Sequence, residues 1–349
     1  LQHGALFRVC FPAQWNGDLV LYAHGYVAPK EPLSLPNDSF EGQSISSTVT
    51  GLGYGYGTTS YRANGLVAPD GVDDLLELAD TIDSRYRPDP ARTVVVGFSE
   101  GGLAGILAVE QHPDRFAGAL TGCGPIGDFQ AQLNYIGDFR VVFDFFFPGL
   151  IPGSAVDIPQ SVQDQWETVY VPAIVVAFAL RPDEARQLMA VTGAPTAGSD
   201  LRSLAETAVG VLWYNVFGTA DAQARLGGQP FDNSATVYAG SSNDTDLNAG
   251  VQRFTRDPAT LTGIERFQTS GALRVPVVNL HTTGDPIIPF SQSTLYQSKL
   301  AAAATSSFFT QTDVERYGHC SFQRDELLSA FHSLEGKLAP ASSVAALSR

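Results

Sequence analysis

A serine set among glycines, Gly97-Phe98-Ser99-Glu100-Gly101-Gly102, is wedged between the β-branched run Thr93-Val94-Val95-Val96 and the Ala- and Leu-rich segment Leu103 to Gln111. A β-branched run favours a strand, and an Ala/Leu-rich run favours a helix. The residues between them must therefore turn sharply from strand to helix. A serine on such a turn projects its hydroxyl above the sheet edge, at a helix N-terminus whose dipole favours developing negative charge. The plainer reading is a helix-capping serine. The rest of the chain has to decide between the two.

The flanking segments repeat this alternation. Phe7 to Phe11 and Asp18 to Ala23 read as strands separated by a turn at Pro12 and Asn16-Gly17, and the second ends in His24-Gly25. Tyr54 to Tyr61 reads as a strand. Val72 to Tyr86 follows with helical spacing and stops before Pro88. Phe116 to Leu120 and Val275 to Leu280 read as further strands, with Ser291 to Ala304 a helix, Phe308 to Tyr317 a strand and Arg324 to Lys337 a last helix. Continuous apolar strands alternating with helices predict an α/β fold with a mostly parallel central sheet covered on both faces. Residues 126–272 break the alternation. They carry an aromatic run at Phe143 to Gly149, helices at Asp183 to Val191 and Leu201 to Phe217, and a turn at Ser241 to Asp244. The expected organisation is a core of 1–125 and 273–338, a mainly helical cap insertion at 126–272, and a loose tail at 339–349.

An unassisted serine hydroxyl is a weak nucleophile, so Ser99 needs a histidine base oriented by a carboxylate. His3 lies near the start, His112 ends a helix before Pro113, and His332 falls inside the last helix. His24, at a strand end, is better placed to shape a turn. His319, in Tyr317-Gly318-His319-Cys320, follows the last strand, at the edge where parallel sheets hold their sites. The expected acid is Asp285, in Gly284-Asp285-Pro286 after the penultimate strand. Asp128 is its main competitor, and Asp313 is a weaker one inside a strand. The backbone N–H groups of Tyr26 and Glu100 are the candidate oxyanion donors.

Composition removes other classes. A net charge of −15 leaves few cations to follow a phosphate backbone, so nucleic acid is not an expected partner. The longest strongly apolar stretch, Val171 to Leu180, contains Pro172 and is too short to span a bilayer. Cys10, Cys123 and Cys320 form no C-x-x-C pair and allow at most one internal disulfide. Asn243 to Asn248 is oxygen-rich but lacks the glycine and glutamate of a calcium loop, and reads as a solvated turn. No metal site is expected. The opening on Leu1, with no basic and apolar leader, leans toward a processed secreted or periplasmic protein.

With His-Gly-Tyr at 24–26, Gly-Phe-Ser-Glu-Gly at 97–101, Gly-Asp-Pro at 284–286 and Gly-His at 318–319, all at strand ends and in this order, the chain resembles the α/β-hydrolase superfamily. The resemblance implies a Ser99-Asp285-His319 triad and no cofactor. Cys320 beside His319 looks like part of the pattern in tannase and fungal-type feruloyl esterase relatives, where a cysteine beside the serine bridges one beside the histidine. Phe98 breaks that pattern. A Cys123–Cys320 bridge, or three unpaired buried cysteines, both remain compatible.

The expected activity is a serine hydrolase that cleaves carboxylic esters, small or polymeric, through an acyl-enzyme. Cap aromatics such as Phe129, Phe143 and Trp213 are candidates for an apolar substrate wall. A prolyl- or aminopeptidase-like enzyme on the same fold is the alternative, with Asp157, Asp164, Glu167, Asp183 and Glu184 available to hold an amine. A non-catalytic binding protein on this scaffold is the third reading.

Overall fold

The computed structural model describes residues 1–86 and 90–339. Pro88 and nearly all of the expected tail lie outside the described residues. In chain order the first half places β1 (Phe7–Cys10), β2 (Asp18–Ala23), the short ribbon β3 (Ser39–Phe40) and β4 (Gln43–Ser44), then α1 (Ile45–Gly51), β5 (Gly55–Thr59), α2 (Ala68–Arg85), β6 (Arg92–Phe98), α3 (Glu100–Gln111) and β7 (Gly118–Gly122). There follow α4 (Phe129–Phe146), α5 (Gln160–Asp164), a π-helical turn at Trp166–Tyr170, α6 (Val171–Leu180), α7 (Pro182–Thr192), α8 (Leu201–Leu226), α9 (Asp244–Gly250) and α10 (Thr260–Glu265). The chain then returns to the sheet through β8 (Val277–Gly284), α11 (Ser291–Ala302), β9 (Phe309–Tyr317) and α12 (Arg324–Glu335).

The seven-stranded sheet runs β1-β5-β2-β6-β7-β8-β9. Only β1 is antiparallel to its neighbour, with Phe7 opposite Thr59. The interior strands need apolar side chains on both faces, and all six residues of β2 are buried. One face packs Leu19, Leu21 and Val95 against α2 and α3, through Leu75, Leu78, Leu103 and Leu107. The other packs Val20, Val94, Val96 and Leu120 against α1 and α12, through Val49, Phe331 and Leu334.

Residues 126–272 build a separate apolar cluster from Phe139, Phe143, Phe147, Trp166, Phe178 and Leu212. Their far end rejoins the sheet layer, because Ala222, Leu226, Ile264 and Phe267 pack into the same cluster as Leu75 and Leu107. No described helix is long and apolar enough to cross a membrane.

Several sequence-based bounds change. Helix α2 begins at Ala68 rather than Val72 because Pro69 suits a first turn and the Glu100 side chain, distant in sequence, accepts the Val67 and Ala68 N–H groups. Helix α8 continues past Phe217 to Leu226, where Gly227 adopts a left-handed C-terminal conformation. Strand β8 extends to Gly284, which places His281 inside the strand. The oxygen-rich 243–248 segment is not a solvated turn: Asn243 Oδ1 accepts the Asp246 N–H and starts α9.

Candidate active site

Ser99 occupies the turn between β6 and α3 with φ 58° and ψ −127°, a conformation costly for a residue with a Cβ. The surrounding glycines permit it. A Cβ on Gly97 would collide with the Gly101 carbonyl oxygen, and one on Gly101 would collide with the Ala23 carbonyl oxygen. The Ser99 N–H donates to the Gly122 oxygen at 2.9 Å, which fastens the turn to β7.

Three side chains from separate strand ends meet here. The Ser99 Oγ–H donates to His319 Nε2 at 2.8 Å, and His319 Nδ1–H donates to Asp285 Oδ2 at 2.7 Å. A carboxylate only accepts, so Asp285 holds the proton on Nδ1 and leaves the Nε2 lone pair facing the serine. Asp285 is fully buried, and its Oδ1 accepts the N–H groups of Ile287 at 2.9 Å and Ile288 at 3.0 Å. Burial raises its pKa, but the neighbouring His319 and His281 imidazoles, with the hydrogen bond from His319, outweigh burial and hold it well below the usual carboxylate range.

His281 is a supporting residue that sequence reasoning passed over. It is buried, its Nε2 lies 3.6 Å from Asp285 Oδ2 and donates to the Ile288 oxygen, and its Nδ1 accepts from Ser293. Its only sequence signal was the polar ring at the end of an apolar run. Asp128 does not reach the histidine. Its Oδ1 accepts the Gln130 and Ala131 N–H groups and starts α4. Asp313 sits within β9 opposite His281.

Gly25 packs beside the serine, so that a Cβ there would approach the Ser99 Cβ at 3.3 Å. The peptide joining Gly25 to Tyr26 therefore lies beside Ser99. His24 Nδ1 donates to the Gly25 oxygen at 2.7 Å, which fixes the plane of that peptide, and His24 stacks on Tyr61. Glu100 opens α3, its N–H in the helix's unsatisfied first turn. Burial raises the Glu100 carboxyl pKa to about 8.

Cys123 and Cys320 are joined in a disulfide with a Cα–Cα distance of 5.4 Å, and Cys10 is free. The Cys320 Sγ lies 3.6 Å from His319 Nε2. The Cys123, His319 and Cys320 ligand atoms fall within 4.8 Å of one another, but sulfurs joined in a disulfide provide no thiolate for a metal.

Between Ser99 and the 126–272 segment lies a cavity of about 120 Å³, walled mainly by apolar side chains that include Leu103, Phe129, Ile136 and Phe231. Phe129 and Tyr214 line it. Phe143 does not: it is wholly buried against Phe147 within the segment's own cluster, because fourteen residues along α4 carry it roughly 21 Å beyond Phe129. Trp213 is not a wall residue either; it stands edge-on to Tyr26 with ring centroids 6.3 Å apart. Gln132, which no motif singled out, lines the cavity and donates to the Ile287 oxygen.

Across solved structures, a "putative dipeptidyl aminopeptidase IV" from Bacteroides ovatus matches 96% of the chain and 34% of its own length, at 11% identity and a TM-score of 0.50. The chain shares the fold of that hydrolase. The chain also matches an Aspergillus oryzae esterase over 96% of its length and 78% of that protein, at 14% identity and a TM-score of 0.48. Its residues 50–132 match the prolyl oligopeptidase family. A 71-residue stretch is 31% identical to "Putative esterase NocK" of Nocardia uniformis subsp. tsuyamanensis, spanning 20% of this chain and 21% of that relative. The 11% identity at a TM-score of 0.50 speaks to the fold alone.

Proposed function

We propose that this α/β-hydrolase cleaves carboxylic esters through an acyl-enzyme, with Ser99 as nucleophile, His319 as general base and then acid, and Asp285 orienting the imidazole. The observation that carries the reading is the unbroken relay from Ser99 Oγ through His319 to a buried Asp285. As Oγ attacks the carbonyl carbon, its proton moves to His319 Nε2, and the imidazolium is stabilised by Asp285. The negative charge gathers on the former carbonyl oxygen, facing the Glu100 and Tyr26 N–H groups. Collapse expels the alcohol, protonated from Nε2. Water, activated by the same nitrogen, then releases the acid.

Residues 126–272 act as a cap in this reading, and the cavity beneath them favours an uncharged acyl or aryl group. The Cys123–Cys320 bridge supports an oxidising compartment, outside the cell or in a periplasm. A peptidase is the second reading, favoured by the family match at 50–132. The carboxylates offered for an amine in that reading, Asp157, Asp164, Glu167, Asp183 and Glu184, are not among the cavity's lining residues.

Turnover of p-nitrophenyl acyl esters and of aminoacyl p-nitroanilides separates the two. We expect ester cleavage to dominate and Ser99→Ala to lower kcat by at least about 10⁴-fold with the fold intact. Unchanged ester cleavage by Ser99→Ala would remove the mechanism, and dominant anilide cleavage would favour the peptidase.

A further inference from the structure

Asp285 can orient His319 only while its carboxylate keeps one oxygen aimed at the imidazole. Oδ2 is that oxygen, accepting from His319 Nδ1 at 2.7 Å. The rotation of the carboxylate is set by Oδ1, which accepts the N–H groups of Ile287 at 2.9 Å and Ile288 at 3.0 Å. Pro286 has no N–H, so the Pro286–Ile287 and Ile287–Ile288 peptides are the first after Asp285 that can donate to it.

A peptide unit is planar, so holding its carbonyl also holds the direction of its N–H. Both of these carbonyls are held by side chains of α4. The Tyr135 hydroxyl donates to the Pro286 oxygen at 2.7 Å, and Gln132 Nε2 donates to the Ile287 oxygen at 2.8 Å. Gln132 and Tyr135 stand one turn apart on the same helix face. The next carbonyl, of Ile288, accepts from His281 Nε2 at 2.9 Å on the sheet side, while the Ile287 and Ile288 side chains pack into the apolar cluster of residues 126–272. A hydrogen bond accepted at the carbonyl end of a peptide also strengthens donation from its N–H end.

The geometry points to Tyr135 and Gln132 as positioning residues for hydrolysis: from α4, each fixes and polarises one of the two peptides that turn the Asp285 carboxylate toward His319. This rests on the ester-hydrolase reading and gives residues 126–272 a role beyond walling the cavity. Gln132 also lines that cavity and Tyr135 does not, so Tyr135 gives the cleaner test.

The full protein is assayed with p-nitrophenyl acetate as wild type, Ser99→Ala, Tyr135→Phe and Gln132→Met, with folding checked by circular dichroism. Tyr135→Phe removes one hydroxyl and leaves the ring; Gln132→Met removes the amide at similar volume. Tyr135→Phe should lower kcat about tenfold, the worth of one hydrogen bond, with KM within about twofold. The rate of Ser99 phosphonylation by a fluorophosphonate, followed by mass at Ser99, should fall by a similar factor. In an Asp285→Asn background no carboxylate is left to orient, and there Tyr135→Phe should slow phosphonylation by no more than about twofold. Should Tyr135→Phe not fold, Gln132→Met carries the same comparison. An equal loss in both backgrounds would mark a merely structural role and overturn the proposal, as would wild-type rates in both single variants. With Ser99→Ala inactive, either result leaves the hydrolase reading in place; unchanged ester cleavage by Ser99→Ala would remove that reading and the proposal with it.

Discussion

At Asp285 the surroundings decide what the side chain can do. Two backbone N–H groups and two imidazoles surround a carboxylate with no solvent exposure, so its charged form is favoured despite burial. A group whose folded pKa is depressed adds stability that is present above its unfolded pKa, near 4, and is lost as pH falls through the folded value. Asp285→Asn should therefore flatten the acid limb of a thermal-stability profile. The same change lets Nδ1 accept rather than donate and turns the imidazole to the wrong tautomer, which should cut kcat by about 10⁴-fold. Pre-steady-state ester kinetics check this, and activity within tenfold of wild type would mean another carboxylate orients His319. Ser99, Asp285 and His319, which the structure brings into hydrogen-bond contact, could be singled out in the sequence because each stands at a strand end with a glycine one or two residues away. His281 was not, since a buried histidine within a strand looks like a strand terminus until its contacts are known.

Glu100 couples two elements. Its backbone begins α3 just after the serine, while its side chain closes the N-terminus of α2, where Val67 has no capping side chain of its own. Burial raises its pKa to about 8, above an unfolded value near 4.3, so the folded protein holds a proton that the unfolded chain releases between those values. The sign follows: stability falls as pH rises from about 4.5 toward 8. Glu100→Gln keeps an acceptor for Val67 and Ala68 but cannot ionise, and Tm measured across that range should decline less than in wild type. A parallel decline in both proteins would refute the assignment. This contact explains why the sequence placed the start of α2 too late: the cap comes from thirty-odd residues away in the chain. The seven strands of the main sheet and α3, α7, α11 and α12 were readable because local pattern and tertiary burial agree there, whereas the β3–β4 ribbon was not read. Of the aromatics singled out in 126–272, Phe129 lines the cavity and Phe143 and Trp213 do not, because the spacing of rings along a helix reveals burial without saying which rings face the serine.

Across the whole molecule, the disulfide ties β7's end, where the 126–272 segment departs, to the loop that carries His319. It closes a loop of 197 residues, and long loops gain the most from such a constraint in the chain-entropy picture. The Cys123→Ala/Cys320→Ala double variant should lose about 3–5 kcal/mol in denaturant unfolding and, on the proposed function, hydrolytic activity with it, as the His319 loop loosens. Unchanged stability and activity would show that packing alone holds that loop. The alternation of strands and helices made the sheet and the site edge legible from the sequence, whereas the pairing of the cysteines required the two strand ends to be placed together. Activation of Ser99 by this assembly is what every proposed step requires. Intact-mass analysis after fluorophosphonate treatment should show a single adduct, mapped by peptide digestion to Ser99 and absent from Ser99→Ala; folded wild type with no adduct, or an adduct that persists in the variant, would contradict it.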